Sequence, residues 1–412
     1  MRQPATRSTN LAVFSPNLRT GYVQQYSLSL QREIIRNSVF EAAFVGNRGV
    51  KLFMQENPNQ GKIQGDFLQS FRELQTFVAQ GAAVSANNTL VRLFGSAPEA
   101  VAAIKESILR LGEVGLAADT VDLNSYARYA QASLPDFYIR NFPQFNFLYQ
   151  GTNDGRSYYD SLQLGFRRQA GGLRFAVNYT WSKVIDNVTT SGYSFDYIID
   201  NFNLRLNRAR SDFDRSHVFT AAGTYTLPVG KGRRVGGNWP RWLGALAGGW
   251  DLGLLTVWES GTVFSVSSGL RTAGTSAQAF ADFTGNRNIG AVDRRGDGVY
   301  WFTPDQIARF SAPAAGEIGT SGRNAFRGPR FFNTDASLIK RFRITDRHAI
   351  HFRGEAYNLL NNVNFANPSA DLSTPATLGK ISSVVRSQQP GGPLGETFGG
   401  PRVVQLAARW EF

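Results

Sequence analysis

Two neighbouring stretches, YYDSLQLGFRR at 158–168 and LRFAVNYTWSK at 173–183, decide the fold. In the first, apolar side chains take every second position from Leu162 to Phe166, and in the second they do so from Leu173 to Trp181. Because side chains of a β-strand point alternately to its two faces, both stretches are predicted to be amphipathic strands. The QAGG between them contains two glycines that suit a tight turn, which predicts an antiparallel hairpin.

The same alternation recurs along the whole chain and predicts nine strands. Their connections alternate in length: short links lie at 33–36, 169–172 and 344–348, and an intermediate one lies at 228–249. Short turns at one end and long loops at the other are typical of an outer-membrane β-barrel, whereas a soluble β-sandwich has no reason to sort its loops. The predicted strands are Tyr22 to Arg32, Asn37 to Gly46, 158–168, 173–183, Val218 to Leu227, Trp250 to about Val266, Asn333 to Arg343, Ala349 to Leu359 and Arg402 to Phe412; the long loops are at about 47–157, 184–216, 267–332 and 360–401.

The two faces of these strands differ in chemistry. Trp250 and Trp258 share one face, eight residues apart, which in a tilted strand spans roughly 19 Å along the membrane normal. That separation suits two interfacial aromatic girdles, to which Trp181 is also assigned. The opposite face carries charges that are costly in lipid and suit a wet lumen. The residues predicted to face the lumen are Asp335, Arg341, Arg353, Glu355, Arg409 and Glu411.

The last stretch, QLAARWEF at 405–412, is apolar on one face up to its final residue. Trp410 and Phe412 are on that face, so we expect the terminus to lie at the periplasmic membrane interface with these two side chains toward lipid.

Residues 48–156 are predicted to be a long extracellular loop with two helices. DFLQSFRELQTFVAQ has apolar residues at helical spacing, and SAPEAVAAIKESILRLG opens with a capping box and ends at Gly112. A loop of this length inside a regular barrel is usually functional or covers the barrel mouth.

Composition excludes several classes of protein. The chain has 412 residues and a net charge of +13, but its Arg and Lys are scattered, which does not indicate nucleic-acid binding. There is no Cys and no apolar run of membrane-helix length. MRQPATRSTN at the start lacks the apolar core of a signal peptide, so either the chain stays inside the cell or its front is missing.

The sequence predicts no enzyme activity, no metal site and no cofactor. It contains three histidines, and His348 and His351 fall on opposite faces of any strand because they are three residues apart. SDFDRSH at 211–217 has acidic, basic and imidazole groups, but no nucleophile elbow accompanies them. A salt-bridged loop base is the preferred interpretation.

Seven stretches occur in order along the chain: YVQQYSLSLQREI, FVGNRGVKL, NDGRSYYDSLQLGFRR, FAVNYTWSKVIDN, RARSDFDRSHVFTAAGTYTLPVGKG, RGPRFFNTDASLIKRFRI and FRGEAYNLLNNVNFANP. Together they resemble the barrel region of TonB-dependent outer-membrane receptors, and more closely the Oar-like group with a carboxypeptidase-regulatory-like N-terminal domain.

The resemblance implies a membrane all-β fold, namely the C-terminal part of a plugged, 22-stranded antiparallel barrel that imports a bulky substrate. The signal peptide and the N-terminal plug are expected to be missing from this chain. The implied partners are outer-membrane lipid, the barrel-assembly machinery acting through Trp410 and Phe412, an unknown ligand, and the TonB complex through the plug. The implied location is the outer membrane of a Gram-negative bacterium.

Two alternatives remain at this stage. The first is a TonB-independent outer-membrane channel or structural protein, and the second is a soluble β-sandwich binding module.

Overall fold

Nine long strands follow one another in hydrogen-bonded order and form most of a single sheet. The order is β2-β3-β4-β5-β7-β8-β15-β16-β20, and every neighbouring pair on this path is antiparallel. This result comes from a computed structural model, which describes residues 7–188, 198–230, 232–345, 347–385, 387–388, 397–398 and 400–412. The nine strands are Tyr22–Ile35 (β2), Ser38–Glu56 (β3), Phe145–Ala170 (β4), Leu173–Asp186 (β5), His217–Thr226 (β7), Trp250–Glu259 (β8), Phe331–Arg343 (β15), Ala349–Tyr357 (β16) and Val403–Glu411 (β20).

Two shorter strands pair with this sheet, and others form small separate sheets in the long connections. β1 is parallel to β4, and β6 pairs with the end of β5. Within the strands that the structure describes, β2 pairs with β3 alone and β20 with β16 alone, so the sheet is open at both edges. The short strands are Thr9–Phe14 (β1), Ala209–Arg210 (β6), Val263–Phe264 (β9), Asp282–Phe283 (β10), Asp293–Arg295 (β11), Gly298–Tyr300 (β12), Phe310–Ser311 (β13), Phe326–Arg327 (β14), Lys380–Ile381 (β17), Ser387–Gln388 (β18) and Thr397–Phe398 (β19).

Two predicted strand boundaries are wrong in an informative way. The predicted loop at 48–156 shrinks to 57–144, because β3 and β4 continue to pair as far as Glu56 opposite Gln150. The strand predicted to run to about Val266 ends at Glu259. There Gly261 approaches the backbone so closely that an added Cβ would lie 1.9 Å from the Gly328 carbonyl oxygen, and the chain turns away to form β9.

The connection after β3 contains five α-helices instead of the two helices expected. The first predicted helix is present with the same bounds as α1, whereas the second is divided at Lys105, whose φ of 84° interrupts the helix. No helix in the part of the chain described is long and apolar enough to cross a membrane. The helices are Asp66–Gln80 (α1), Thr89–Phe94 (α2), Ala97–Ile104 (α3), Glu106–Leu111 (α4), Val114–Ser125 (α5), Arg241–Ala247 (α6) and Pro304–Ile307 (α7).

The long connections pack together into one unit, which we call the cap (57–144, 198–210, 263–327 and 360–385). One core of the cap is built by α1 to α5, and a second is a group of phenylalanines that includes Phe302 and Phe326. Bonds between distant segments hold the unit together: Gly61 N–H donates to Thr275 Oγ1 at 3.0 Å, and Arg72 Nη2 donates to the Ala315 carbonyl oxygen at 2.7 Å. The long loops therefore form a folded structure at one end of the sheet.

Candidate functional site

The strand register places all six residues predicted to face the lumen on one face of the sheet. Arg341 lies opposite His351, which lies opposite Arg409 on the next strand. Directly opposed residues of neighbouring strands share a face, so the alternation extends this assignment to the other members. The face contains Asp335, Arg341, Arg353, Glu355, Arg409 and Glu411, and we call it the polar face.

A cavity of about 1220 Å³ lies against the polar face and is lined by residues of seven strands, from β3 to β16. In a flat sheet those two strands would be about 29 Å apart. One cavity shared by seven consecutive strands is the arrangement expected on the concave side of a curved sheet. Half of the lining residues are charged or polar, among them Arg167, Arg174, Asp335, Ser337, Arg353 and Glu355.

Ion pairs connect neighbouring strands across the polar face. Glu411 Oε2 accepts from Arg341 Nη2 at 2.6 Å and lies 2.7 Å from His351 Nε2. Arg353 pairs with Glu355 on the same strand. Asp335 Oδ1 accepts from Asn333 Nδ2 at 2.9 Å and from the Asn358 backbone N–H at 2.8 Å. These charges satisfy one another while remaining open to solvent, as expected on the wet side of a sheet.

The opposite face, which we call the apolar face, carries many large exposed apolar side chains. Trp181, Trp250 and Trp258 all lie on it by register, next to leucines of the neighbouring strands. Leu28, Leu30, Leu254 and Leu406 are among its exposed members. Phe412, at the end of this row, exposes 93% of its surface. An exposed face of this extent marks contact with another apolar phase.

The segment SDFDRSH, at 211–217, forms the salt-bridged base of the loop that leads into β7, as the preferred interpretation predicted. The fully buried Asp214 accepts from Arg210 at 2.9 Å, from Arg327 at 2.7 Å and from the Val184 N–H at 2.9 Å. Burial by itself raises the pKa of Asp214, but the hydrogen bonds from Val184 and Arg327 and the charge of Arg210 outweigh it and hold the pKa below its ordinary value. The segment thus joins β5 to two short strands of the cap, β6 and β14.

Sequence reasoning missed a buried charge network inside the cap. Asp122 accepts from Arg7 Nε at 3.0 Å, from Arg140 Nε at 2.9 Å and from the Tyr129 hydroxyl at 2.9 Å. Burial raises the pKa of Tyr129, and the charge of Asp122 raises it further, so this hydroxyl stays a donor. The two arginines are 133 positions apart in the sequence. No local spacing could have indicated this network.

Over the residues whose placement is described, no group of three His, Asp or Glu side chains is arranged to hold a metal ion. His217 instead lies 2.7 Å from the Tyr179 hydroxyl on the apolar face.

Comparison with known proteins gives a match over almost the whole chain. The family described as "Outer membrane beta barrel domain" matches residues 2–405. A comparison with curated proteins finds no match.

Several solved structures are similar at low identity. The outer membrane transporter YddB from Escherichia coli is 9% identical with a TM-score of 0.43, over 98% of this chain and 34% of that one. The FrpB iron transporter from Neisseria meningitidis is 8% identical with a TM-score of 0.36, over 97% of this chain and 33% of that one. The ferripyoverdine receptor of the outer membrane of Pseudomonas aeruginosa is 8% identical with a TM-score of 0.37, over 96% and 28%. The chain thus spans about a third of the length of these proteins.

Proposed function

The chain belongs to the outer membrane β-barrel domain family and is an outer-membrane protein of a Gram-negative bacterium; from that premise we propose that it forms the C-terminal barrel wall of a transporter for a bulky substrate. The observation that carries the proposal is the open sheet, whose polar face lines one cavity across seven strands and which has a folded cap at one end. The family assignment excludes the soluble β-sandwich.

In this proposal β2 and β20 pair with further strands to complete a barrel of about 22 strands. The TonB complex acts through the N-terminal plug of the full-length protein, and the cap lies outside the cell, where it selects the substrate. The resemblance to the Oar-like group supports this arrangement. An open sheet with two unpaired edges needs further strands to close.

The polar face forms the lumen in this proposal, and the apolar face contacts lipid. Burying charges such as Arg353 in hydrocarbon would be costly, whereas the leucines of the opposite face are favourable there. Trp181, Trp250 and Trp258 lie in the interfacial girdles. Arginines outnumber acidic residues around the cavity, which favours anionic cargo.

Single cysteines test the assignment of the two faces, because the chain contains no Cys of its own. We expect a water-soluble maleimide to modify His351→Cys and Arg353→Cys in the full-length protein inserted in membranes. A fluorophore on Phe352→Cys should instead be quenched by nitroxide-labelled lipid. Equal labelling at 351, 352 and 353 would contradict the assignment.

Uptake assays test transport and separate it from the first alternative, a TonB-independent channel or structural protein. Cells with and without the full-length gene are given ferric siderophores, cobalamin, oligosaccharides and peptides as separate labelled probes. TonB-coupled transport predicts gene-dependent uptake of one class that a protonophore abolishes. Gene-dependent uptake that survives the protonophore would indicate a channel, and no gene-dependent uptake would favour a structural role.

Trp410 and Phe412 are proposed to form part of the signal read by the barrel-assembly machinery. Both side chains lie on the apolar face at the end of β20, with Trp410 Nε1 3.4 Å from His348 Nδ1. Deleting Phe412 from the full-length protein should lower its amount in the outer membrane. Glu411→Gln, which changes the polar face instead, serves as the control, and equal outer-membrane levels for both variants would contradict this role.

A further inference from the structure

The connection between β7 and β8 contains α6, a short helix made almost entirely of apolar residues. Its sequence is RWLGALA, and Trp242 and Leu246, four positions apart on one side, expose 68% and 59% of their surfaces. A helix in water normally turns such residues inward. Here the most exposed side of the helix is apolar.

The helix is fastened to the apolar face of the sheet by its last carbonyl groups. Lys340 Nζ donates to the carbonyl oxygens of Ala245 and Leu246 at 2.5 and 2.8 Å, and Trp250 Nε1 donates to that of Leu246 at 3.1 Å. Lys340 lies opposite Trp250 in the register, so both side chains are on the apolar face. The bonds therefore place α6 on the side of the sheet that faces away from the cavity.

Lys340 has an unusual environment for a lysine at the end of such a strand. A lysine there ordinarily extends its ammonium group to lipid head groups. Lys340 exposes only 3% of its surface, because α6 covers it. Its charge lies where the helix dipole is negative and the last carbonyls lack helical partners. The last carbonyl groups of α6 therefore replace lipid head groups as partners of the Lys340 ammonium group.

The surroundings of α6 continue an aromatic girdle. Trp250 packs edge-on against Phe342 at 6.2 Å and against Phe352 at 6.0 Å, and all three rings lie on the apolar face. The preceding turn adds the exposed Arg233 and Arg234. Aromatic rings beside basic side chains suit a bilayer interface with anionic head groups.

We propose that α6 is an interfacial anchor that lies in the periplasmic leaflet, with Trp242 and Leu246 among the lipid chains and head groups. Its ligand is the phospholipid surface, which it binds as a short interfacial helix whose exposed side is apolar. The inference rests on the proposed assignment of the apolar face to lipid. It goes further, because the helix is outside the barrel wall and the described residues of the other short turns contain no helix.

Lipid quenching at three single cysteines tests this anchor. Leu246→Cys, Leu254→Cys and Arg347→Cys report on the helix, the middle of a strand and a polar turn at the same end of the sheet. Each carries an environment-sensitive fluorophore in the full-length protein, reconstituted in vesicles of phosphatidylethanolamine and phosphatidylglycerol with nitroxides at a shallow or a deep chain position. We expect shallow quenching at 246, deep quenching at 254 and little quenching at 347.

The outcomes separate the anchor from the assignment of the faces. Quenching at 254 without quenching at 246 would overturn the anchor and leave the lipid face intact. Loss of quenching at both 246 and 254 would overturn the face assignment itself.

Lys340→Met tests the fastening of the helix, and quenching at 254 verifies that this variant still inserts. Shallow quenching at 246 should fall at least twofold when Lys340 no longer holds the last carbonyls. Unchanged quenching at 246 would overturn the role of Lys340.

Discussion

Asp122 has no exposed surface, and three buried side chains share its two carboxylate oxygens. Replacing it by Asn removes the carboxylate that pairs with Arg7 Nε and Arg140 Nε in a buried site, although Arg140 keeps its ion pair with Asp119. We therefore expect Asp122→Asn to lower the free energy of unfolding of the cap by about 3–5 kcal/mol. Hydrogen exchange of the amides in α1 and α5 would measure the loss.

Glu106→Gln is the matched control for that variant, because Glu106 pairs with Arg110 on the exposed surface of α4 in the same unit. An exposed pair of this kind contributes only about 0.3–0.5 kcal/mol. Equal protection losses in the two variants would mean that the buried network does not hold the cap together.

Glu56 lies where β3 enters the cap, beyond the membrane-spanning part of the strand, and its pKa is raised to about 7. Burial is the main cause, and the charge of Asp154 adds to it, while the hydrogen bond from Thr152 opposes both. An acid whose pKa is higher in the folded than in the unfolded protein stabilises the folded state when it is protonated. This contribution to the free energy of unfolding is complete below the unfolded pKa and is lost as the pH rises toward 7.

Glu56→Gln should therefore be more stable than the parent at pH 8, by about 1–2 kcal/mol after allowance for the partial exposure of the group, and no more stable at pH 4. Thermal unfolding of the full-length protein at both pH values measures the difference. A difference that is the same at pH 4 and pH 8 would show that Glu56 does not titrate in this range.

Prediction from sequence succeeded for residues whose position follows from the period of a strand and failed for residues brought together by long loops. Arg341, Arg353 and Arg409 share a face in the structure because alternation is a local property of the backbone. Arg7 and Asp122 meet only after the cap has folded. Lys340 was also missed, since its partners belong to a helix that the sequence did not indicate.

Among the elements, the division between α3 and α4 offers a direct test. Lys105 has φ 84° and ψ 134°, a region occupied almost only by glycine and costing other residues about 1–3 kcal/mol. Lys105→Gly should stabilise the cap by about 1 kcal/mol, because glycine removes the steric cost but adds some entropy to the unfolded chain. Chemical denaturation with hydrogen-exchange detection gives the value.

Lys105→Ala is the control, because alanine keeps the Cβ that causes the strain. Its stability should stay within about 0.5 kcal/mol of the parent. If Ala and Gly stabilise the cap equally, the lysine side chain and not the backbone is responsible.

The ends of elements could be predicted where local chemistry sets them and not where tertiary pairing does. α1 begins and ends as its apolar spacing indicated, with Gly81 in the left-handed conformation after it. β3 runs past Gly46 because β4 continues to pair with it. β8 stops early because Gly261 must approach the backbone of Gly328, a contact between positions 67 apart.

At the scale of the whole molecule, the open sheet predicts how the chain behaves alone. β2 and β20 present unpaired backbone groups at the two edges, beside exposed side chains such as Leu28 and Leu406. Such edges promote association with other chains. Residues 1–412 expressed alone should therefore sediment from detergent-free buffer.

Centrifugation followed by light scattering measures this behaviour, with a detergent-solubilised sample as the control for folding. A monodisperse monomer in plain buffer would contradict both the open sheet and the assignment of the apolar face to lipid.

The sorting of loops by length was visible in the sequence, and so was the membrane fold, because both follow from local patterns repeated many times. The shape of the cap was not, since it depends on which loops meet. Thr275 reaches Gly61 across more than two hundred residues, and nothing near either residue indicates the other.

The bonds that close the cap also set an order of assembly. In the proposed extracellular position of the cap, Gly61 can bind Thr275, and Arg72 can bind Ala315, only after segments separated by 214 and 243 positions have crossed to the same side of the membrane. The complete cap therefore forms only after its loops have crossed. Once formed, it is too bulky to return without unfolding. Folding of the cap thus makes membrane insertion a one-way process, because the free energy of folding of the cap opposes the return of its loops through the membrane.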